Sequence, residues 1–127
     1  MDLRITKEDS EAIGFVIACS FAQAISIEDI NRWAESVLMA ADDYPDYILE
    51  LCVFNGHLKD LNSVVGFAPV CKLSEAEFSA IHGIADMRGI NRFEPAPTKV
   101  QAKCALESNA HILQRFREQF SFVQFNA

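Results

Sequence analysis

Apolar side chains recur every three or four positions along most of this chain, the period of an amphipathic helix, and no long stretch alternates with period two. After Ser26, the residues Ile27, Ile30, Ala34, Val37, Leu38 and Ala41 fall on one stripe, with Glu28, Asp29, Arg32 and Glu35 opposite. After Ser74, Phe78, Ile81, Ala85 and Arg88 follow the same rule. Ala102, Leu106, Leu113, Phe116 and Phe120 form a third stripe in a last long helix, where Ser108-Asn109 marks a bend or break. Residues 7–24 are apolar nearly all round, which predicts a helix placed centrally in the core.

The stripes begin and end with recognisable chemistry. In ISIEDINRW, Ser26 is set to cap a helix with Asp29 at the third helical position, and Ile25 and Ile30 flank the pair as a hydrophobic staple. In KLSEAEFSA the same grammar places Ser74 as cap, Glu77 at the third position and Leu73 against Phe78. Thr98 with Gln101 opens the last helix. Each spacing lets side chains satisfy the free N–H groups of a first turn. Gly89 suits the residue just past a helix end, and Gly66 closes a short helix around Leu58, Leu61 and Val65.

ADDYPDYILELCVFNG, residues 41–56, is the ambiguous stretch, because Tyr, Ile, Val and Phe favour strands. Its flanks favour a buried helix. Pro45 suits a first turn, Asp42, Asp43 and Asp46 suit the positive end of a helix, and Asn55-Gly56 is a stop. The expected fold is all-α: a single compact domain over residues 1–127, of five to six helices. Pro95 and Pro97 mark a loop, and an aromatic C-terminal tail, with Phe120, Phe122 and Phe125 alternating, is expected to dock on the domain or to contribute to an interface.

Composition adds limits. The 127 residues, half of them hydrophobic, suffice for a core without disulfide or metal. The four cysteines (Cys19, Cys52, Cys71, Cys104) form no closely spaced pair and sit among apolar or small neighbours, as buried free thiols do. The opening MDLRITKEDSEAIG has no basic region leading into an apolar block, so no signal peptide is expected. The stretch Ala12–Ala22 is too short to span a bilayer. A soluble cytoplasmic protein is the expectation.

Charge separates the two halves of the chain. The net charge is −7, and residues 1–65 hold 12 acidic and 4 basic residues against 6 and 7 in residues 66–127. Between residues 25 and 50 seven acids stand against Arg32 alone. A field of that sign repels nucleic acid and favours a basic partner, chiefly by speeding encounter. It also serves solubility. Arg115 and Arg117 among Phe116 and Phe120 are a weak footprint for nucleic acid, and the arginines are better placed to snorkel from a packed aromatic core.

Catalytic chemistry finds little support. Each histidine has an acid three or four residues away (His57 with Asp60, His82 with Asp86, His111 with Glu107), a spacing that can orient an imidazole and also arises freely on polar helix surfaces. HExxH, GxSxG, phosphate-binding glycine loops and Glu-x-x-His pairs are absent from the sequence. No metal, cofactor or enzymatic activity is expected. The remaining enzyme reading would use His82 with Asp86, or Cys71.

The runs YPDYILELCVF, VVGFAPVCKLSEAEFSAIHGIADMRG and RFREQFSFVQF resemble the small helical immunity proteins of bacterial contact-dependent inhibition and other polymorphic toxin systems, over about residues 40 to 125. The likeness is one of pattern, with no invariant motif. It implies a cytoplasmic inhibitor that binds one cognate toxin domain, often a basic nuclease, and blocks its active site; it carries no catalytic residue. On that reading the partner-binding residues are Asp42, Asp43, Tyr44, Asp46 and Tyr47, with Glu28, Asp29 and Glu35 beside them. Tyrosine supplies contact area at low entropic cost and keeps a polar end. The alternative is a non-catalytic regulatory adaptor or a subunit of a larger assembly.

Overall fold

The computed structural model of the chain describes residues 4–90 and 97–123, apart from the side chain of Leu58. Within them lie seven α-helices: α1 (Glu11–Phe21), α2 (Ile27–Ala40), α3 (Tyr47–Cys52), α4 (Leu61–Val65), α5 (Glu75–Met87), α6 (Lys99–Ser108) and α7 (Ala110–Gln119), with a 3-10 turn at Leu58–Asp60 before α4. No strand occurs among the described residues. The expected all-α class holds. The count exceeds five to six because Asn109, at φ −127° and ψ 54°, divides the last long helix into α6 and α7.

The expected capping pairs close as their spacing requires. Ser26 accepts from the Asp29 N–H at 3.2 Å while Asp29 takes the Ser26 N–H at 2.8 Å. Ser74 with Glu77, and Thr98 with Gln101, make the same reciprocal pair. At the far end of α5, the N–H of Ile90 bonds the Ala85 carbonyl and that of Gly89 the Asp86 carbonyl, with Gly89 at φ +74°. That double closure needs a left-handed residue at its centre, which glycine supplies without strain.

The packing divides the chain into two compact units. One contains the described residues up to Ser20 together with Ser26–Lys72; the other contains Phe21–Ile25 with the described residues from Leu73 on. In the first unit, α1 is buried at consecutive positions from Ile13 to Ile17, as a helix apolar on every side requires. It runs from Glu11 to Phe21 rather than over the expected 7–24. Before it, the Thr6 N–H donates to the Asp9 carbonyl, the Asp9 N–H donates to the Thr6 hydroxyl and Arg4 pairs with Asp9 at 3.1 Å, a local turn that competes with helix. After it, Gln23 at φ +64° cannot continue one.

The segment that follows Gly66 is held by the hydroxyl of Ser10, the residue just ahead of α1. Ser10 Oγ accepts from the Val70 N–H at 2.8 Å, and it donates to the Val70 carbonyl at 3.4 Å. Gly14 lets this segment approach, since a Cβ there would stand 2.7 Å from the Cys71 Cβ.

In the second unit Ala80, Ile81, Ile84 and Ala85 of α5 are buried together with Ala102, Leu106, Ile112, Phe116 and Phe120. The Phe116 and Phe120 rings lie 4.9 Å apart, and Phe122 meets Phe120 edge-on at 6.3 Å. Phe125 and Pro95 lie outside the described residues. Arg88, at the end of α5, donates to the Ala24 carbonyl at 2.6 Å.

Candidate partner-binding surface

The acidic stretch lies between α2 and α3. Helix α2 stops at Ala40 because Ala41 turns to an extended conformation, φ −103° and ψ 137°. Asp42, Asp43 and Asp46 are exposed, and Tyr44 and Pro45 are half-buried. Asp46 occupies the cap position of α3 but its side chain accepts no capping hydrogen bond. Asp42 and Asp43 stand four or five residues ahead of the first helical residue. Helix-starting chemistry therefore does not account for these carboxylates, and no ion pair among the described residues engages them.

Tyr47 is a correction to the expected site. Its side chain is buried, its ring meets Phe67 edge-on at 6.0 Å, and its hydroxyl donates to the Ile5 carbonyl. Burial pushes the hydroxyl far above the ordinary tyrosine range, so it stays protonated as a donor. The residue belongs to the core and offers nothing to a partner. Asp29 is a second correction, because it is buried and spent on the Ser26 capping box. Glu28 and Glu35 are exposed on α2 as expected, two turns apart on the same side of that helix.

The structure brings Glu35 close to α3. Burial raises the Cys52 thiol above its ordinary range, and the nearby Glu35 carboxylate adds to the shift. Asn31 of α2 makes the connection rigid: its Nδ2 donates to the Leu51 carbonyl at 2.6 Å and to the Phe54 carbonyl at 3.1 Å. In a continuing helix the Leu51 carbonyl would accept from the Asn55 N–H. Here that carbonyl takes the Phe54 N–H at 3.4 Å together with Asn31 Nδ2, and α3 ends at Cys52, ahead of the expected stop at Asn55-Gly56.

Sequence reasoning missed the outward face of α3. Tyr47, Ile48 and Leu51 are buried, which turns Asp46, Leu49, Glu50 and Val53 to the other side. Those four fall at the spacing of one helical stripe. Leu49 is 50% exposed, between Asp46 and Glu50 on the stripe, and Val53, one turn after Glu50, is 79% exposed. Met39, in the last turn of α2, is 89% exposed. The spacing from Asp46 was visible in the sequence, but both faces of YILELC carry apolar residues, so period alone does not reveal which is buried.

The spaced histidine–acid pairs noted in the sequence do not direct the histidines' contacts. His111 Nε2 meets Glu77 across two helices at 2.7 Å, leaving Glu107 out. His82 is buried, with Nδ1 3.1 Å from the Phe78 carbonyl; that partner only accepts, so Nδ1 carries the proton. His57 is exposed beside Asp60, whose N–H bonds the His57 carbonyl. Of the cysteines all are free, but only Cys19 is buried, and Cys104 is exposed, which departs from the expectation of four buried thiols. Among the described residues no three His, Cys, Asp or Glu side chains converge as metal ligands do, and no helix is long and apolar enough to cross a membrane.

No protein-family model, curated protein or solved structure matches this chain.

Proposed function

We propose that the chain is a cytoplasmic immunity protein that binds a basic toxin domain through the surface made by the α2–α3 loop, the outer face of α3 and the exposed acids of α2. One observation carries the reading: Asp42, Asp43 and Asp46 are exposed, without an ion pair among the described residues and uninvolved in capping, so the described fold gives them no work of its own. Beside them Leu49 and Val53 supply exposed apolar area, and an apolar centre within a charged surround is the usual anatomy of a protein interface. The acids steer a basic partner to the surface and the apolar residues hold it.

The test is neutralisation. Basic toxin domains found encoded beside this chain are expressed with and without it, and growth, toxin activity and complex formation on a sizing column are measured. Protection with a one-to-one complex is the expected result. A protein that neither protects nor binds any neighbouring toxin domain is not an immunity protein. Protection that survives reversal of Asp42, Asp43 and Asp46 to lysine would move the contact surface elsewhere.

A further inference from the structure

Gly83 stands at a close approach of α5 and α6, where a Cβ would lie 2.7 Å from the Ala102 carbonyl oxygen and 3.1 Å from the Leu106 Cβ. Beside this crossing the second unit opens into a groove of about 570 Å³, a size that falls within the roughly 300–1,000 Å³ of small-molecule sites. Gly83 and Met87 of α5, Leu106 of α6, and Ala110 and Leu113 of α7 supply its walls, which are almost wholly apolar. A concave apolar surface is favourable to fill, since its covering removes that area from water.

Charge at the groove is uneven along its length. Lys99 and Lys103 stand one turn apart on α6, both exposed and neither in an ion pair or hydrogen bond among the described residues. Asp86 of α5 also lines the groove and has a partner of its own. Glu107 lies one turn beyond Lys103, toward Ala110. One end is therefore cationic and the other is not.

The geometry points to a site for a single-chain anionic amphiphile, a free fatty carboxylate, with its carboxylate between the ammonium groups of Lys99 and Lys103 and its acyl chain along Met87, Leu106, Ala110 and Leu113. Glu107 repels a carboxylate at the opposite end and so fixes the direction of the chain.

Calorimetric titration of the full chain with monomeric dodecanoate tests this. One molecule should bind per chain, with affinity rising about fourfold per methylene from octanoate to dodecanoate, the ordinary increment for burying that group. Dodecyltrimethylammonium should bind about tenfold more weakly, the difference that two exposed ion pairs make. Lys99→Glu with Lys103→Glu should reverse the preference. Ala110→Trp should abolish binding of both with an unchanged melting curve; if that variant melts early, the exposed lysine pair still decides the matter. The site is overturned by any of four results: no saturable binding below the micelle threshold, equal binding of the two head groups, binding only of phospholipid in vesicles, or a dimer that Ala110→Trp dissolves, which would place a second copy in the groove.

Discussion

The hydroxyl of Tyr47 donates to the backbone carbonyl of Ile5, 42 residues earlier in the chain. This bond ties the segment before α1 to the first turn of α3, and it makes Tyr47 a structural residue despite its place in an acidic, aromatic loop. Tyr47→Phe should destabilise the protein by about 1 to 3 kcal/mol, the cost of leaving a buried carbonyl unpaired. Urea denaturation measures the loss. Dissociation of a bound toxin domain should be unaffected, whereas truncating Tyr44 should speed it.

Gly83 should resist even the smallest substitution. Alanine is the better helix former by about 1 kcal/mol, and on an isolated helix it would stabilise. Here its methyl group would meet the Ala102 carbonyl oxygen at 2.7 Å, forcing α5 and α6 apart. Gly83→Ala should therefore cost about 1 to 3 kcal/mol net, read from the shift in denaturation midpoint. An unchanged midpoint would mean that the crossing has slack.

The Glu77–His111 pair gives the second unit a pH dependence with a defined sign. The Ser74 N–H and then His111 hold the Glu77 carboxyl below its ordinary range. A depressed folded-state value contributes stability above the unfolded value, about 4.3 for glutamate, and that contribution is lost as pH falls through the folded value. Glu77→Gln keeps an acceptor for the Ser74 N–H but cannot ionise. Its deficit in stability relative to the parent should shrink on acidification below about pH 4. His111→Ala should move the Glu77 titration, followed by NMR, upward.

The acids of the α2–α3 loop should separate binding from stability. Because none of them caps α3, replacing Asp42, Asp43 and Asp46 together by asparagine should change stability by no more than about 0.5 kcal/mol. Association with a basic toxin domain should slow and lose most of its salt dependence. Leu49→Asp or Val53→Asp should act on the other rate, speeding dissociation by the equivalent of about 2 kcal/mol where the residue is an anchor. Stopped-flow kinetics at two salt concentrations distinguish the two behaviours.

What the sequence disclosed was chiefly local. Ser26, Ser74 and Thr98 start helices through partners three residues away, and Gly66 and Gly89 end them through their own backbone freedom, so spacing alone reveals both. What escaped depends on residues distant in the chain. Asn31 bonds the end of α3 from 20 residues upstream, and Ile5 accepts from the buried Tyr47 hydroxyl across 42. His111 sits 34 residues from the acid it meets and only four from the one it does not. The exposed acids were found because charge excess needs no partner to be seen. The apolar half of the same surface was hidden, because Leu49 and Leu51 are chemically identical until the fold chooses between them.

The freedom of the α2–α3 loop bears on how such a protein changes over generations. Among the described residues Asp42, Asp43 and Asp46 support neither a cap nor an ion pair, so their replacement should leave the scaffold as it was. Asn31 meanwhile anchors the far end of α3 from a neighbouring helix. If this loop is the contact surface proposed above, recognition can be rewritten a residue at a time at these three exposed positions. Two lineages sharing this scaffold can diverge in partner without passing through an unfolded intermediate, and exchanging the five residues from 42 to 46 should carry part of the specificity from one to the other.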